Sequence, residues 1–473
     1  MSNHEHHGMK PLEGMTAFCN RAHYGHDGQR DDRFGRMFDY LEPAYTPSHV
    51  LKDVGRKGGK MDAGSTSKRT DDVPVGMIFF GQFVDHDITL DASTTFDSVV
   101  DNPGEIANVR TPTLDLDCIY GLGPEAQPYL YSQAGDFAGA KLLTGADNPG
   151  QEGLRESDLL RSPNKRAMIG DPRNDENRVI SSLQLAVIRF HNHVCDTLHT
   201  EHGYSGAELY EHARRDTTWH YQWGVVNDFL TAICGKPVVD KILGCGRQHY
   251  CGGVPYIPIE FSVAAYRFGH SMIPMKIQVQ KNGSRLELFG EFLGRGFDEL
   301  KNPKGVIDWH ELFHTPANRQ VEMAQMLDTK LAGDLLALPF ITNAENSLAT
   351  RNLLRGNTFL LPGGEKIAQA IGREEQEIKK VVTKVKTLSD GLTSDGIPLW
   401  LYILAEAEVI GRATEGGAPI KGEGLGPVGA TIVAETIIGL LEFDEHSYLG
   451  ANRNWSPRDE WNTLGKLTTV AQP

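Results

Sequence analysis

Cysteine is scarce in this chain: six residues in 473, none in C-x-x-C spacing, which argues against a disulfide framework and a four-cysteine zinc site. Basic charge is also short. Lysine and arginine number 47 against 62 aspartate and glutamate, the net charge is -15, and no long basic run occurs, so no nucleic-acid partner is expected. No apolar run reaches the length of about 18 residues that a membrane span needs, and none is expected. The N-terminus MSNHEHHGMKPLEG lacks the charged-then-apolar pattern of a cleavable signal. The expected location is therefore cytoplasmic, or outside by export without a cleavable signal peptide. Fixed-period repeats and Pro/Ser-rich linkers are missing too, which speaks against a solenoid or a string of domains.

What is present is ordinary globular composition, with 40% hydrophobic and 23% charged residues, enough to bury a large core. The first stretch is rich in Gly, His, Asp and Arg (GHDGQRDDRFGR, GRKGGKMDAGSTSKR) and shows little periodicity. It reads as an irregular N-terminal arm over residues 1–70. From Val75 onward apolar residues recur at helical spacing in the windows 75–90, 177–200, 207–234, 258–274, 319–337, 365–386, 397–412 and 427–443. One strand signal, MKIQVQKNGSRLEL, places two short alternating runs around an Asn-Gly turn. The expected fold is mainly α with little β structure, a single large helical domain over residues 71–473.

Three segments carry residue types that chemistry uses. In GQFVDHDITL, a helix puts Gln82, Asp85 and His86 on one face, flanked by Phe79, Phe80 and Phe83. Such a polar trio is costly to bury unless something pairs with it, and a core histidine bonded to a neighbouring carbonyl is the plainer alternative. In RTPTLDLDCIYG, the oxygen-bearing Thr111, Thr113, Asp115 and Asp117 alternate with Pro112, Leu114 and Leu116. Their side chains project to one side, which suits calcium, and Asp87 could complete the shell. An ordinary polar edge strand would have the same pattern. In AAYRFGHSMIP, Arg267 and His270 lie one helical turn apart in an apolar stretch, where a neutral imidazole can ligate iron or simply be structural.

Together these segments resemble the animal-type heme peroxidases, the family of myeloperoxidase and lactoperoxidase, which also contains prostaglandin synthase and many bacterial members. GQFVDHD is similar to the distal-histidine motif, GDPRNDE to the distal-arginine motif and YRFGH to the proximal-histidine motif. RTPTLDLDCIYG resembles the calcium loop, RNLLRGNTFLLPGG the helix behind the proximal histidine, and LGPVGATIVAETIIGLL the closing helices of bacterial members. The first five run in the family's order from about residue 75 to about residue 365.

The resemblance implies a helical domain holding heme b, and a peroxidase that reduces hydrogen peroxide and oxidises a small organic or halide donor via a ferryl intermediate. It makes His270 the axial iron ligand and Asn352 the acceptor of the other ring N–H. His86 becomes the proton carrier, Arg173 the cation facing developing negative charge, and Gln82 the residue positioning water or halide. Asp85 and Glu176 match positions that form ester links to heme methyl groups in mammalian members. Asn177 stands where myeloperoxidase has a methionine bonded to a heme vinyl group, so that link should be missing. Arg355 is expected to pair with a heme propionate, although Gly356 to Leu360 differ from the mammalian pattern. Calcium is assigned to Asp87, Thr111, Thr113, Asp115 and Asp117.

Two rivals remain. Fatty-acid dioxygenases of the same family carry a tyrosine three positions before the proximal histidine, where this chain has Arg267 as a heme-contacting residue; Tyr266 is adjacent. In DWHELFHTP, His310, Glu311 and His314 spell the zinc-protease pattern H-E-x-x-H. There, Thr315-Pro316 stops the helix at once, and Ala317 and Gln320 occupy the Gly and His positions of the longer signature. A non-catalytic heme or calcium module would need none of His86, Arg173 and Gln82.

Overall fold

A computed structural model describes residues 34–64, 68–90, 100, 102–103, 108, 110–341 and 345–472. The helices that frame the molecule are α1 (Ser48–Gly55), α2 (Val75–Ile88), α3 (Arg178–His202), α4 (Gly206–Gly224), α5 (Lys236–Cys245), α6 (Gly269–Met272), α7 (Leu348–Thr358), α8 (Gly364–Ala370), α9 (Glu375–Lys386), α10 (Leu399–Val409) and α11 (Pro427–Phe443). Among the described residues strands pair only in twos. β1 (Phe34–Gly35) lies parallel to β3 (Ile257–Pro258), while β2 (Arg69–Pro74) with β6 (Met323–Gln325) and β4 (Lys276–Ile277) with β5 (Leu286–Glu287) are antiparallel. The mainly α expectation holds.

Helices α10 and α11 are apolar nearly all round and almost wholly buried, as helices at the centre of a large core should be. Helix α3 begins where the Asn177 side chain accepts from the N–H groups of Val179 and Ile180, and ends at Gly203 in the left-handed region (φ 75°), a side-chain cap followed by a glycine stop. Helix α4 runs directly into a π-helical segment, Val225–Gly235.

Several expected elements take other forms. The 258–274 window is not one helix: a π turn (Glu260–Ala264), a 3-10 turn (Ala265–Phe268) and α6 follow one another. The break falls at Ala264, whose φ of -127° and ψ of -70° leave the helical region. In the 319–337 window Val321, Ala324, Leu327 and Leu331 are buried as their spacing suggests, yet by an extended segment. There β6 pairs with β2, and the Thr70 hydroxyl donates to the Ala324 carbonyl at 3.2 Å; tertiary pairing has overridden local preference. The 365–386 window divides into α8 and α9 around Gly372 (φ 76°). The Asn-Gly turn closes with a bond from the Gly283 N–H to the Gln280 carbonyl at 3.0 Å, but β4 and β5 pair only farther out. Of the expected arm, residues 1–33 lie outside the described residues. Within the remainder α1 is helical and buries Leu51 and Val54, a short pattern hidden beside the glycine-rich run.

Buried glutamates tie distant loops to this core. Glu260 accepts from the N–H groups of Met37 and Phe38, Glu423 from Asp71 and Asp72, and Glu406 from Val428 and Gly429 at the start of α11. Glu435 accepts three, from Gln248 (3.0 Å), His249 (2.6 Å) and Tyr250 (2.8 Å). Glu435→Ala orphans those donors and is expected to cost about 3 kcal/mol. A thermal unfolding midpoint equal to that of the parent protein would contradict this.

Candidate active site

Helix α2 is enclosed on nearly every side. Gly76 and Gly81 permit this, because a Cβ at Gly76 would lie 2.4 Å from the Leu312 carbonyl oxygen and one at Gly81 would lie 2.9 Å from the Phe229 ring. Met77, Gln82 and Asp85 remain half-exposed on this otherwise buried helix. His86, in the last turn, is 6% exposed. Thr89 then turns extended and folds its hydroxyl back onto the Asp85 carboxylate at 2.9 Å.

The GDPRNDE segment packs against this helix end. His86 Nδ1 lies 2.6 Å from Asn174 Oδ1, and Asn174 Nδ2 donates to Gln184 Oε1 at 2.8 Å. The ring therefore carries its proton on Nδ1, leaving Nε2 as the basic nitrogen. Burial, and then the Arg173 charge, hold the His86 pKa below its ordinary 6.5. Arg173 donates from one terminal nitrogen to the carbonyls of His86 (3.0 Å) and Thr89 (2.8 Å), and its Nε and that nitrogen grip Asp171. Asp171 in turn meets Arg110, which reaches Asp117 in the calcium-like loop at 3.1 Å. Gln82 donates to Glu176.

On a segment packed against α2, with Gly269 close to Ile78, His270 is half-buried and its Nδ1 lies 2.8 Å from the Asn352 amide of α7. Burial, then Arg267, push its pKa down to about 3, so the ring is neutral and able to ligate a metal. The amide nitrogen faces the ring and the buried Asn352 Oδ1 has no hydrogen-bond partner among the described residues; a half turn of the amide would let Nδ1 donate to Oδ1 and leave the Nε2 lone pair free. Arg355 follows one turn later on α7, its guanidinium 5.1 Å from the Phe359 ring centroid. Arg267 donates through Nε to the Ser262 carbonyl at 3.0 Å. Tyr266, in the tighter 3-10 turn, stacks on Phe261, and its buried hydroxyl has no hydrogen-bond partner among the described residues.

The calcium-like loop alternates as expected, with Thr111, Thr113, Asp115 and Asp117 half-buried and Pro112, Leu114 and Leu116 buried. Ligand atoms of Asp87, Asp117 and Cys118 come within 4.8 Å of one another. Among the described residues Asp87, without exposure, is met only by the Tyr221 hydroxyl (3.1 Å), the Leu116 N–H (3.4 Å) and the Cys118 thiol (3.5 Å). Burial and the neighbouring Asp117 and Asp115 carboxylates raise its pKa well above the ordinary value. Asp115 is tied within the loop to the Thr111 hydroxyl and the Asp117 N–H, both at 3.2 Å. A buried, crowded set of oxygens with long hydrogen bonds fits a divalent cation.

The H-E-x-x-H motif is not assembled. Only His310 and Glu311 lie on the three-residue 3-10 turn Trp309–Glu311, His310 Nδ1 bonds the Thr315 hydroxyl at 2.7 Å, Glu311 meets Arg319 and Gln278, and His314 beyond it is exposed. Asn174, Asp171, Arg110 and Cys118 stand inside the quoted motifs, yet the sequence alone did not single them out as supporting groups. Their roles depend on contacts across the chain, and only their nearness to motif residues could have suggested them.

A profile of the animal haem peroxidase family matches residues 91–375. The chain belongs to that family. Helix α2, with Gln82, Asp85 and His86, precedes the matched span, so these three rest on the geometry above. The chain is 25% identical to the chorion peroxidase of Drosophila melanogaster over 59% of its own length and 34% of that protein's. It is also 25% identical to the alpha-dioxygenase PIOX of rice, over 54% and 47%. It thus spans less than half the length of these relatives. Peroxidase A of Dictyostelium discoideum shares the fold, with a TM-score of 0.62, 16% identity and 93% coverage of both chains. Heme fits this animal haem peroxidase frame: His270 offers a neutral ring with one nitrogen already held, and Arg355 lies beyond Asn352 on the same helix.

Arg161, 2% exposed, forks between Asp158 and Asp175 with four bonds of 2.8 to 2.9 Å, bracing the segment that carries Arg173 and Asn174. Arg161→Ala strands both carboxylates and is expected to cost about 3–5 kcal/mol. Chemical denaturation would detect the loss, and unchanged stability would refute it.

Proposed function

We propose that the protein is a heme b peroxidase reducing hydrogen peroxide while oxidising a small organic or halide donor. The observation that carries this reading is the joint fixing of His86 and Arg173: Asn174 holds the imidazole, and the guanidinium hangs from the carbonyl of His86 itself. Bound through His270, heme would supply the electron-transfer chemistry that opens the O–O bond. His86 Nε2 takes the proton of hydrogen peroxide and returns it to the departing oxygen, help worth roughly 10²- to 10⁴-fold. Arg173 stabilises the negative charge that develops there, without reorganising, because its partners already fix it. Gln82, tethered to Glu176, orients a water or halide. Asn352 holds His270, and Arg355 and Arg267 meet the cofactor's periphery. Asp85 and Glu176 are the candidates for ester attachment after exposure to peroxide. The Asn177 side chain is already used as the cap of α3, in keeping with no third link.

Calcium is assigned to Asp87, Thr111, Thr113, Asp115 and Asp117. It would hold the end of α2 about 100° round the helix from the Asn174 contact, since Asp87 directly follows His86.

A second reading, a fatty-acid dioxygenase, draws support from the rice relative and from the unpartnered Tyr266 hydroxyl. Arg267 at the diagnostic position favours the peroxidase. One experiment separates them. Purified protein is expected to show a heme band that shifts on adding hydrogen peroxide, and to oxidise a phenolic donor without taking up oxygen when given a fatty acid. His270→Ala should lose the heme; retention of heme and activity in that variant overturns the assignment. Freely extractable heme after peroxide treatment would exclude the ester links.

Because the His86 pKa lies below 6.5, its neutral form persists into acid. Peroxide reduction should stay constant as pH falls through 6.5 and decline only below it, as stopped-flow rates would reveal; a midpoint at or above 6.5 contradicts the assignment of base. Calcium removal by a chelator should lower both the unfolding midpoint and the activity, with recovery on adding calcium back, whereas Asp115→Ala should not recover. Elemental analysis showing no calcium would eliminate the site.

A further inference from the structure

A separate cavity of about 500 Å³ lies between the N-terminal turn of α2, the π-helical segment and the residues that follow α10. Its Met77 precedes His86 by nine positions, about 14 Å along the helix axis at the standard rise. The two sites therefore share a helix but not their residues.

Charge pairing decides what this cavity suits. Lys236 is engaged by Asp240 at 2.5 Å and Glu415 at 3.3 Å. Arg412 is engaged by Asp72 and the Ala232 carbonyl. Asp228 differs. Its Oδ2 accepts one backbone N–H, from Leu464 at 2.6 Å, and no cation lies within ion-pair distance among the described residues. Burial raises its pKa to about 6, with no charged neighbour contributing. One turn on, the Thr231 hydroxyl spends its proton on the carbonyls of Asn227 (2.5 Å) and Asp228 (3.1 Å), so it can only accept from a ligand. Pro74, Met77, Phe313 and Ile420 supply apolar wall. The polar lining also includes Asn227, His314 and Thr463, but at the Asp228–Thr231 end the cavity offers acceptors beside an apolar wall, which suits a ligand with a charged donor on a hydrocarbon body.

We propose that this cavity binds a small organic ammonium compound, its head on Asp228 and Thr231 and its apolar body against Met77 and Phe313. The site goes beyond the peroxidase reading and does not depend on it.

The test is isothermal titration of the purified protein with phenethylammonium and, separately, with its neutral counterpart phenethyl alcohol. The ammonium should bind saturably and the alcohol at least tenfold more weakly. Asp228→Asn should weaken the ammonium at least tenfold and leave the alcohol unchanged, and the heme band should not move. Thr231→Val should weaken the ammonium by a smaller factor. Equal binding of the two compounds, no saturable binding, or undiminished affinity in Asp228→Asn overturns the proposal. So does an ammonium-induced heme shift that persists in that variant, since the ligand then occupies the other site. If Asp228→Asn fails to fold by circular dichroism, the comparison of amine with alcohol and the Thr231→Val variant decide by the same criteria.

Discussion

Asp171 has no solvent exposure and two guanidinium groups on its carboxylate, those of Arg110 and Arg173. Burial acts to raise its pKa, but the bonds and charge of Arg173, with Arg110 behind, outweigh it and hold the group below its ordinary 3.8. The stabilisation is therefore present above that value and is lost as pH falls through the depressed pKa. Around this carboxylate runs an alternating series: Asp117, Arg110, Asp171, Arg173 and finally the His86 carbonyl. A buried charge left without its partner is strongly destabilising, so each member fixes the next. The calcium-like loop and Arg173 are thus joined by one run of charges.

Helix α2 receives that run at its end and converts it into position. Its two glycines let Leu312 and Phe229 approach closely, which fixes the helix from the sides. Asn174 and Arg173 fix its last turn at His86, and the contacts of the adjacent Asp87 fix it about 100° further round. The His86 ring consequently has little freedom of its own. Preorganisation of this kind is what a proton carrier and a fixed cation need, because neither then has to reorganise during reaction. The same rigidity lets the N-terminal turn of α2 wall a separate cavity.

Much of the frame could be read from periodicity. The windows that became α2, α3, α10 and α11 are long and strongly apolar, and local preference and burial agree there. The 319–337 window misled because an apolar spacing of three and four also suits an extended segment whose side chains find separate pockets. The segment before His270 misled for another reason. Glu260 spends its carboxylate on Met37 and Phe38, and the backbone breaks at Ala264; a helical reading of the local spacing anticipates neither. The alternation of the calcium-like loop was legible, whereas the thiol of Cys118 beside Asp87 was not, because it pairs with a residue 31 positions away.

The sequence by itself determined the fold class, the order of the motifs and the residue types on which proton transfer, iron ligation and calcium binding would rest. These are local properties: spacing along a helix, alternation along a loop, the chemistry of a side chain. Only the tertiary structure decided which nitrogen of His86 is basic, because that depends on Asn174, 88 positions away. It likewise decided that H-E-x-x-H is no metal site, since Thr315 and Arg319 take its ring and carboxylate. It left Asp228 without a cation among the described residues, since Lys236 and Arg412, which wall the same cavity, are paired with other carboxylates. Pairing and desolvation arise when segments distant along the chain share one small volume, and no local pattern encodes that.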